Sequence, residues 1–404
     1  MRILLSTIGS RGDVQPLVAL AVALRSRGAA VRLCLPPDFR GQVESLGLEV
    51  TTIGPELRST ARTRSSASPP TPEQRRQMIE GTVSTQFETI LQAARECDAI
   101  VGATALQVAA PSVAERLGIP YVFAAYCPVV LPSLHHAPPA LAARGPEPSA
   151  STNAQRWARD AEQWNAMWRE PINGHRASLG LPSIDDVRSY VHTARPWLAA
   201  DPALAPWPDD EGGQMFQTGA WTIDDTRPLD PEIDASPASG EPPLYFGFGS
   251  IRAPEGISRT VIDAARALGR RTIVSRGWAD FSGIDGGEDC LVIGEVNQQA
   301  LFRRVDVVVH HGGAGTTTTV AMTGTPQVVL PQIYDQHYWA KRIEVLGVGA
   351  GAGHAGSPTV ESLTSALSVA LSPNTVTRAR ALSGRMRRDG TTLAADTLLA
   401  QLGA

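Results

Sequence analysis

The stretch Val305-Asp-Val-Val-Val-His-His-Gly-Gly-Ala-Gly-Thr-Thr-Thr-Thr319 predicts a buried parallel strand that passes through a glycine-rich turn into a helix. Its glycines at 312, 313 and 315 let the backbone approach an anion closely, and the N-terminus of the new helix offers unpaired amides and a positive dipole end. Such a turn is typical of a phosphate site. The alternative is a turn that only allows tight packing, beside a solvated pair of histidines.

Two side chains of this stretch can add to phosphate binding. Thr316 offers a hydroxyl donor, and His311 can donate a ring N–H to a phosphate oxygen. The second bond would stabilise the charge that builds on a diphosphate leaving group without a metal ion. We therefore predict that His311 faces the anion and that its neighbour His310 faces elsewhere.

On both sides of this turn, short apolar runs alternate with longer stretches of helical periodicity, which is typical of parallel sheets with helical crossovers. The predicted strands span residues 2–7, 31–35, 50–53, 99–101 and 121–124 in the first half, and 244–248, 272–275, 290–293, 305–309 and 327–330 in the second. Eight prolines within 202–243 predict a linker there. The sequence thus predicts an α/β protein with two Rossmann-like domains, 1–201 and 244–384, whose facing sheets leave an interdomain cleft for ligands.

The composition indicates a globular protein of two domains rather than a nucleic-acid or membrane protein. The chain has 404 residues, 43% of them hydrophobic, and a formal net charge of −4, which gives no strong field to attract nucleic acid or anionic lipid. No stretch approaches the roughly 18 apolar residues that a membrane helix needs, and the N-terminus does not resemble a signal peptide. The four cysteines lack paired spacing, so we expect reduced thiols, no structural metal and a cytoplasmic location.

Other candidate site residues follow predicted strands. The segment 6–16 places Asp13 at or next to the start of a helix predicted over 14–27, where it can act as a general base or only cap the helix. Asp335 and Gln336 begin another helix, where carboxylate and amide can bind vicinal hydroxyls or cap that helix. Two smaller loops are further candidates. The loop with Ser250 is a candidate for binding a phosphate, and the loop with Val296 for binding a nucleobase.

Taken in order, these motifs resemble glycosyltransferase family 1 with the two-domain GT-B fold, and most closely the actinomycete glycosyltransferases that modify glycopeptide aglycones such as that of vancomycin. The resemblance spans nearly the whole chain. The motifs that indicate it are Ser10-Arg-Gly-Asp-Val14, Gly219-Ala-Trp221, Gly247-Phe-Gly-Ser250, Ser275-Arg-Gly-Trp-Ala279, Gly294-Glu-Val-Asn297, His310-His-Gly-Gly-Ala-Gly-Thr316 and Asp335-Gln336.

The resemblance implies a role for each candidate residue. The first domain would bind the acceptor and the second the nucleotide sugar, and the last helix, 385–402, would pack back on the first domain. Asp13 would be the catalytic base, and Ser10, Asp335 and Gln336 would contact the donor sugar. The diphosphate would be bound by Ser250, His311, Gly313, Gly315 and Thr316, and the base and ribose by Arg276, Trp278 and Val296.

The resemblance also implies a reaction, the inverting transfer of a hexose from a UDP- or TDP-sugar to a hydroxyl of a hydrophobic natural product, without cofactor or metal. A carboxylate with a pKa of about 4 removes a proton far more easily from a phenol of about 10 than from an aliphatic alcohol, so we expect a phenolic acceptor. Because Asp13 resembles the bacterial antibiotic and sterol branches of the family, a sterol or lipid acceptor stays open. We expect a monomer or a weak dimer.

Two other functions remain as alternatives. A sugar nucleotide 2-epimerase of GT-B fold would use the same phosphate turn but needs no acceptor. A nucleotide-binding regulator would keep the turn without chemistry. A dinucleotide-dependent oxidoreductase is disfavoured, because no GxGxxG follows the first strand of either half.

Overall fold

A computed structural model describes residues 1–58, 70–104, 106–139, 151–208, 215–231, 233, 240–251, 254, 256–277, 287–352 and 357–403. The chain forms two compact units. The first comprises Met1–Asp201, Pro206–Ile223 and Arg387–Ala404, and the second comprises Pro202–Ala205 and Asp224–Met386. In the described part of the chain, no helix is long and apolar enough to cross a membrane.

The first unit contains a parallel sheet. Its strands are β1 Arg2–Thr7, β2 Ala30–Leu35, β3 Glu49–Thr52, β4 Ala99–Ala103, β5 Tyr121–Ala125, β6 Trp197–Leu198 and β7 Phe216–Gln217, and its helices are α1 Arg11–Arg25, α2 Arg40–Glu44, α3 Pro72–Ala93, α4 Ala110–Leu117, α5 Asn153–Ser178 and α6 Val187–His192. The strand order is β3-β2-β1-β4-β5-β6-β7. The order reverses between β1 and β4, and ligands of such sheets bind beyond the carboxyl ends of the strands at this switch point.

The second unit repeats this design. Its strands are β8 Leu244–Gly247, β9 Thr272–Ser275, β10 Cys290–Ile293, β11 Val307–His310, β12 Gln327–Val329 and β13 Gly349–Gly351, and its helices are α7 Ile257–Ala267, α8 Gln298–Leu301, α9 Ala314–Thr323, α10 Gln336–Leu346, α11 Val360–Leu371 and α12 Pro373–Arg385. The strand order β10-β9-β8-β11-β12-β13 places its switch point between β8 and β11.

The strand β11 is buried on both faces. Val307 and Val309 belong to one apolar cluster and Val308 to another, and all three are fully buried. Successive side chains of a strand point to opposite faces, so an unbroken valine run is what a sheet covered on both sides requires. Because this burial fixes β11 in the sheet, it also fixes the position at which the following turn begins.

The first helix begins earlier than predicted. It starts at Arg11 instead of residue 14, with Ser10 as its N-cap, and it ends at Arg25 instead of residue 27, with Ser26 as its C-cap. The early start brings Asp13 into the first turn, where its carboxylate hydrogen-bonds to the N-cap residue. Hydrophobic periodicity could not locate this start, because the first turn is polar and only the hydrogen bonds of the cap define it.

The predicted linker and terminal helix also differ from the structure. Residues 206–223, expected within the linker 202–243, belong to the first unit and include the strand β7, and the chain enters the second unit at Asp224. The helix predicted over 385–402 is two helices, because α12 ends at Arg385 and α13 spans Gly390–Gln401. Between them, the Arg387 N–H donates a 2.7 Å hydrogen bond to the Asp201 carboxylate. Residues 387–404 group with the first unit.

Candidate active site

The turn between β1 and α1 presents a carboxylate in the first unit. The Ser10 N–H donates to Asp13 Oδ2 at 2.6 Å, and the Ser10 hydroxyl donates to the same oxygen at 3.2 Å. A negative charge in the first turn of a helix is also stabilised by the helix dipole. The helix-capping role that the sequence left as an alternative is therefore present, and a role for Asp13 as base stays a prediction.

Gly9 leaves the space that this carboxylate occupies. A Cβ at position 9 would overlap Asp13 Oδ2, so any other residue there would displace the carboxylate. The sequence analysis did not assign Gly9 to the site, although glycine two residues after a strand end was a visible signal. Ser10, predicted to contact donor sugar, has its hydroxyl bonded to Asp13 instead of unengaged.

In the second unit, the glycine-rich stretch forms the turn that the sequence predicts. Gly313 is the N-cap of α9, and no side chain of the described residues caps this helix there. The first-turn amides are therefore available to an anion, and Gly315 and Thr316 lie within this turn. Gly312 has a φ of +91°, and a Cβ there would come within 2.7 Å of Val329. Only glycine fits that position, for both conformation and space.

The two histidines have different surroundings. His310 is fully buried, and its Nε2 lies 2.9 Å from Gln327 Oε1. Gln327 Nε2 donates to the Thr317 carbonyl, which fixes the amide with its oxygen towards His310. The Gly312 N–H donates to His310 Nδ1 at 3.1 Å, so Nδ1 is the acceptor and Nε2 is the protonated nitrogen. Burial lowers the pKa of His310 to about 4, and the ring serves the fold as a neutral group.

Of these two histidines, His311 has an unused ring nitrogen. Its ring lies nearly parallel to Phe248, with centroids 6.2 Å apart, and its buried Nδ1 has no hydrogen-bond partner among the residues described. Burial, and secondarily the nearby His310, lower its pKa to about 3. His311 is therefore neutral near pH 7, with one ring nitrogen that can donate and one that can accept.

The loops after β8 and β9 lie against each other beside this turn. Gly249 has a φ of +61° and Gly277 a φ of +54°, and a Cβ on Gly277 would overlap the Gly249 carbonyl oxygen. Gly249 lies beside the His311 ring, since a Cβ on Gly249 would be 3.7 Å from it. Ser250 is the residue that follows Gly249 in the chain. Arg276 is exposed, and its N–H donates to the Ile293 carbonyl at 3.0 Å. Trp278 lies outside the described residues.

A pocket of about 530 Å³ lies where β10 ends, and Val296 lines it. Its other walls are residues 227–231, 233 and 291–295, with Asn297. The Asn297 side-chain amide donates to the carbonyls of Asp225 and Arg227, both at 2.7 Å, while its oxygen accepts from the Ala300 N–H at 3.0 Å. Asn297 thus holds segment 225–227 and caps α8 at once. The sequence analysis named Asn297 within a motif but gave it no role, although its position at a helix start could have indicated this one.

Asp335 and Gln336 lie next to the phosphate turn. A Cβ on Gly312 would come within 3.2 Å of the Gln336 carbonyl oxygen. Gln336 Oε1 accepts from the N–H groups of Gln332 and Ile333, at 2.8 and 3.1 Å. Asp335 Oδ2 accepts from Trp339 Nε1 at 3.0 Å, and burial raises the pKa of Asp335 to about 6. The second unit therefore brings its predicted diphosphate residues to its switch point, with Asp335 and Gln336 beside them and the Gln336 oxygen already used by the loop. Ser10, the other residue predicted to contact the sugar, lies in the first unit.

Comparison with known proteins identifies both halves of the chain. Residues 3–134 match the model of the glycosyltransferase family 28 N-terminal domain, and residues 288–396 match that of the erythromycin biosynthesis protein CIII-like C-terminal domain. Glycosyltransferase GtfE from Amycolatopsis orientalis is 46% identical over 100% of this chain and 98% of its own length. Vancomycin aglycone glucosyltransferase from the same organism is 46% identical over 99% of this chain and 97% of its own.

A solved structure shares the fold. The glycosyltransferase of kitacinnamycin superposes with a TM-score of 0.76 at 22% identity, covering 99% of this chain and 98% of that one. The two parallel sheets with their switch points are those of the GT-B fold. The chain therefore belongs to the family of GT-B glycosyltransferases that includes GtfE and vancomycin aglycone glucosyltransferase.

Proposed function

We propose that this glycosyltransferase moves a hexose from a UDP- or TDP-sugar to a phenolic hydroxyl of a hydrophobic, glycopeptide-type aglycone, with inversion at the anomeric carbon. The observation that supports it most is the uncapped first turn of α9, with the neutral His311 against Gly313 and the pair Asp335 and Gln336 next to Gly312. The name of the relative that is 46% identical, vancomycin aglycone glucosyltransferase, favours an aglycone acceptor and glucose as the sugar.

The leaving diphosphate would be bound by backbone amides and one imidazole. The α9 amides, the Thr316 hydroxyl and Ser250 donate to phosphate oxygens, and His311 donates one N–H. A neutral donor in a buried position is strengthened by its surroundings as negative charge develops on the leaving group. We expect no metal ion, because these donors would stabilise the developing charge by themselves. Excess chelator should therefore leave the rate unchanged.

The remaining donor contacts would divide between nucleoside and sugar. Val296 and the pocket at the end of β10 would receive the nucleobase, and Arg276 would contact the nucleoside. Asp335 and the amide nitrogen of Gln336 hydrogen-bond to sugar hydroxyls, since the Gln336 oxygen is already engaged by Gln332 and Ile333. Ser10 contributes through the orientation of Asp13.

Asp13 would be the base. Its Oδ2 is held by the Ser10 N–H, which orients the carboxylate before substrate arrives. The carboxylate takes the phenolic proton while the acceptor oxygen attacks the anomeric carbon from the side opposite the diphosphate. One bond forms and one breaks in a single displacement, so the configuration inverts.

The test combines binding, product mass and product stereochemistry. Calorimetry with UDP- and TDP-hexoses identifies the donor, and mass spectrometry with phenolic aglycones then detects the gain of one hexose. Nuclear magnetic resonance of the product should show a β-glycoside from an α-linked donor. A donor that changes configuration at its second carbon without acceptor would indicate an epimerase instead. Exclusive transfer to sterols or lipids would replace the acceptor class, and donor binding without any transfer by the wild type would indicate a regulator.

A further inference from the structure

Tyr126 contacts the turn that contains Asp13. It follows the last residue of β5, and its hydroxyl donates a 3.1 Å hydrogen bond to the backbone carbonyl of Asp13. Burial, and secondarily the charge of Asp13, hold the pKa of Tyr126 well above its usual value of 10. The hydroxyl therefore stays a protonated donor at any working pH. The bond ties the first turn of α1 to the end of β5, which is separated from β1 by β4 in the sheet.

The Tyr126 ring is itself supported. It meets Trp221 edge-on, with centroids 6.1 Å apart, and the Trp221 indole N–H donates to the Thr218 hydroxyl at 2.9 Å. Trp221 is buried, and its ring also contacts Trp197 of β6 at 6.4 Å. The chain around Trp221 is therefore anchored in the core of the first unit, and it cannot move without moving the Tyr126 ring.

The C-terminal helix secures the same segment. The Thr222 N–H donates to the Thr391 hydroxyl at 3.0 Å, and that hydroxyl donates to the Thr222 carbonyl at 3.1 Å. Gly219 and Gly390 approach so closely that a Cβ on Gly390 would lie 2.6 Å from the Ala220 carbonyl oxygen. Contacts thus run without a break from α13 through the segment 218–222 to Tyr126 and the turn of Asp13.

We propose that Tyr126, supported by Trp221, is a positioning residue that holds Asp13 in the orientation needed to accept the proton of the acceptor. This role rests on the proposed function of Asp13 as base. The hydroxyl bonds to the backbone carbonyl of Asp13, so it sets the position of the carboxylate by fixing the backbone of α1. A shift of about 1 Å in a catalytic group can cost about 10²-fold in rate, whereas binding of the donor in the second unit would not change.

The matched test compares two tyrosines near the ends of one strand. Tyr126→Phe removes the bonded hydroxyl. Tyr121→Phe removes a buried hydroxyl that has no hydrogen-bond partner among the described residues, and it should leave kcat unchanged. Tyr126→Phe should lower kcat by roughly fivefold, the rate equivalent of one hydrogen bond of about 1 kcal/mol, while the KM of donor and acceptor stays within about twofold. The backbone amide hydrogens of residues 11–17 should exchange with solvent faster than in the wild type in Tyr126→Phe, but not in Tyr121→Phe.

The variant Asp13→Asn distinguishes a failure of the base assignment of Asp13 from a failure of the positioning role of Tyr126. An inactive Asp13→Asn together with a Tyr126→Phe of wild-type kcat would overturn the positioning role and leave the base intact. A fully active Asp13→Asn would overturn the base assignment and the positioning role with it. An equal fall in kcat for Tyr121→Phe would also overturn the role, since the effect would then be general. If Tyr126→Phe does not fold, Trp221→Phe replaces it, and unchanged kcat and exchange in that variant count against the proposal.

Discussion

A Cβ at position 313 would lie 2.5 Å from the Nε2 of His311, closer than the two atoms can approach. Gly313 has a φ of −65°, which any residue can adopt, so the requirement for glycine there comes from the imidazole and not from the backbone. Gly313 and His311 therefore depend on each other, because the imidazole occupies the space that a side chain at position 313 would need. Every other residue at 313 forces the ring to move.

Gly313→Ala should weaken donor binding. The displaced His311 ring would lose its hydrogen bond to the diphosphate, and a loss of about 1.4 kcal/mol raises the dissociation constant about tenfold. Calorimetric titration of the nucleoside diphosphate measures this. Gly384→Ala is the control, since a Cβ there meets no described atom within 4 Å and the site is on the exposed side of α12. Equal affinities for the two variants would contradict the prediction.

Gly9→Ala should affect catalysis and spare donor binding. The new Cβ would overlap Asp13 Oδ2 and swing the carboxylate away from the Ser10 N–H, which should lower kcat by about 10²-fold. Steady-state kinetics and donor calorimetry together measure the separation. Gly12→Ala is the matched control three residues along the same turn, because its Cβ approaches only Ser10 Oγ, at 3.8 Å. If both variants keep the wild-type kcat, the space at Gly9 has no catalytic importance.

Asp335→Asn should separate sugar binding from nucleotide binding. The affinity for the nucleotide sugar should fall roughly tenfold, the size of one charge-assisted hydrogen bond, while the nucleoside diphosphate binds as before. The raised pKa of about 6 adds a pH signature. As pH falls from 7 to 5 the wild-type carboxylate takes up a proton and loses an acceptor, so nucleotide-sugar affinity should drop, and Asp335→Asn should abolish that drop. His311 stays neutral across this range. An equal loss for both ligands would contradict a contact between Asp335 and the sugar.

His192→Phe should make the protein more resistant to acid. His192 is buried against Phe123 and Trp164, and neither ring nitrogen has a hydrogen-bond partner in the described chain. Burial lowers its pKa to about 3, so between pH 6.5 and 3 the unfolded chain binds a proton there that the folded protein does not. The wild type therefore loses stability as pH falls through this window, by up to about 1.4 kcal/mol per pH unit from this one group.

Urea unfolding at pH 7 and pH 5 tests this. The variant should be the more stable protein at both, because a buried polar ring without partners is replaced by an apolar one. The gap between variant and wild type should widen at pH 5. A gap of constant size would show that His192 has an ordinary pKa in the folded protein.

The strands that the sequence predicted correctly are those with unbroken apolar runs, such as β1 and β11, because burial on both faces of a parallel sheet demands such runs. The short strands β6, β7 and β13 were missed. Two or three residues have no periodicity of their own, and they become strands only by pairing with a neighbour. The linker was predicted too long because β7 is also too short to show a periodicity. The many prolines of this region indicated a linker instead.

Within the site, the sequence indicated which residues gather and not what each one does. Asp13, His311 and Asp335 all follow strand ends, and local pattern places such residues at the edge of a sheet. Their hydrogen-bond partners come from elsewhere in the chain or depend on the folded turn. Gln336 illustrates this. The sequence suggested that its side-chain oxygen binds sugar, whereas in the structure that oxygen accepts hydrogen bonds from the N–H groups of Gln332 and Ile333.

The amino-acid sequence by itself determined two α/β units, the glycine-rich phosphate turn and the family, since these follow from local periodicity and from motifs in a fixed order. Only the tertiary structure decided that His310 is neutral and bonded to Gln327, that Gly313 makes room for His311, and that Tyr126 holds the backbone of Asp13. Each of these joins groups through space. Burial, steric exclusion and hydrogen-bond geometry depend on distances between atoms that the order of residues along a chain does not specify.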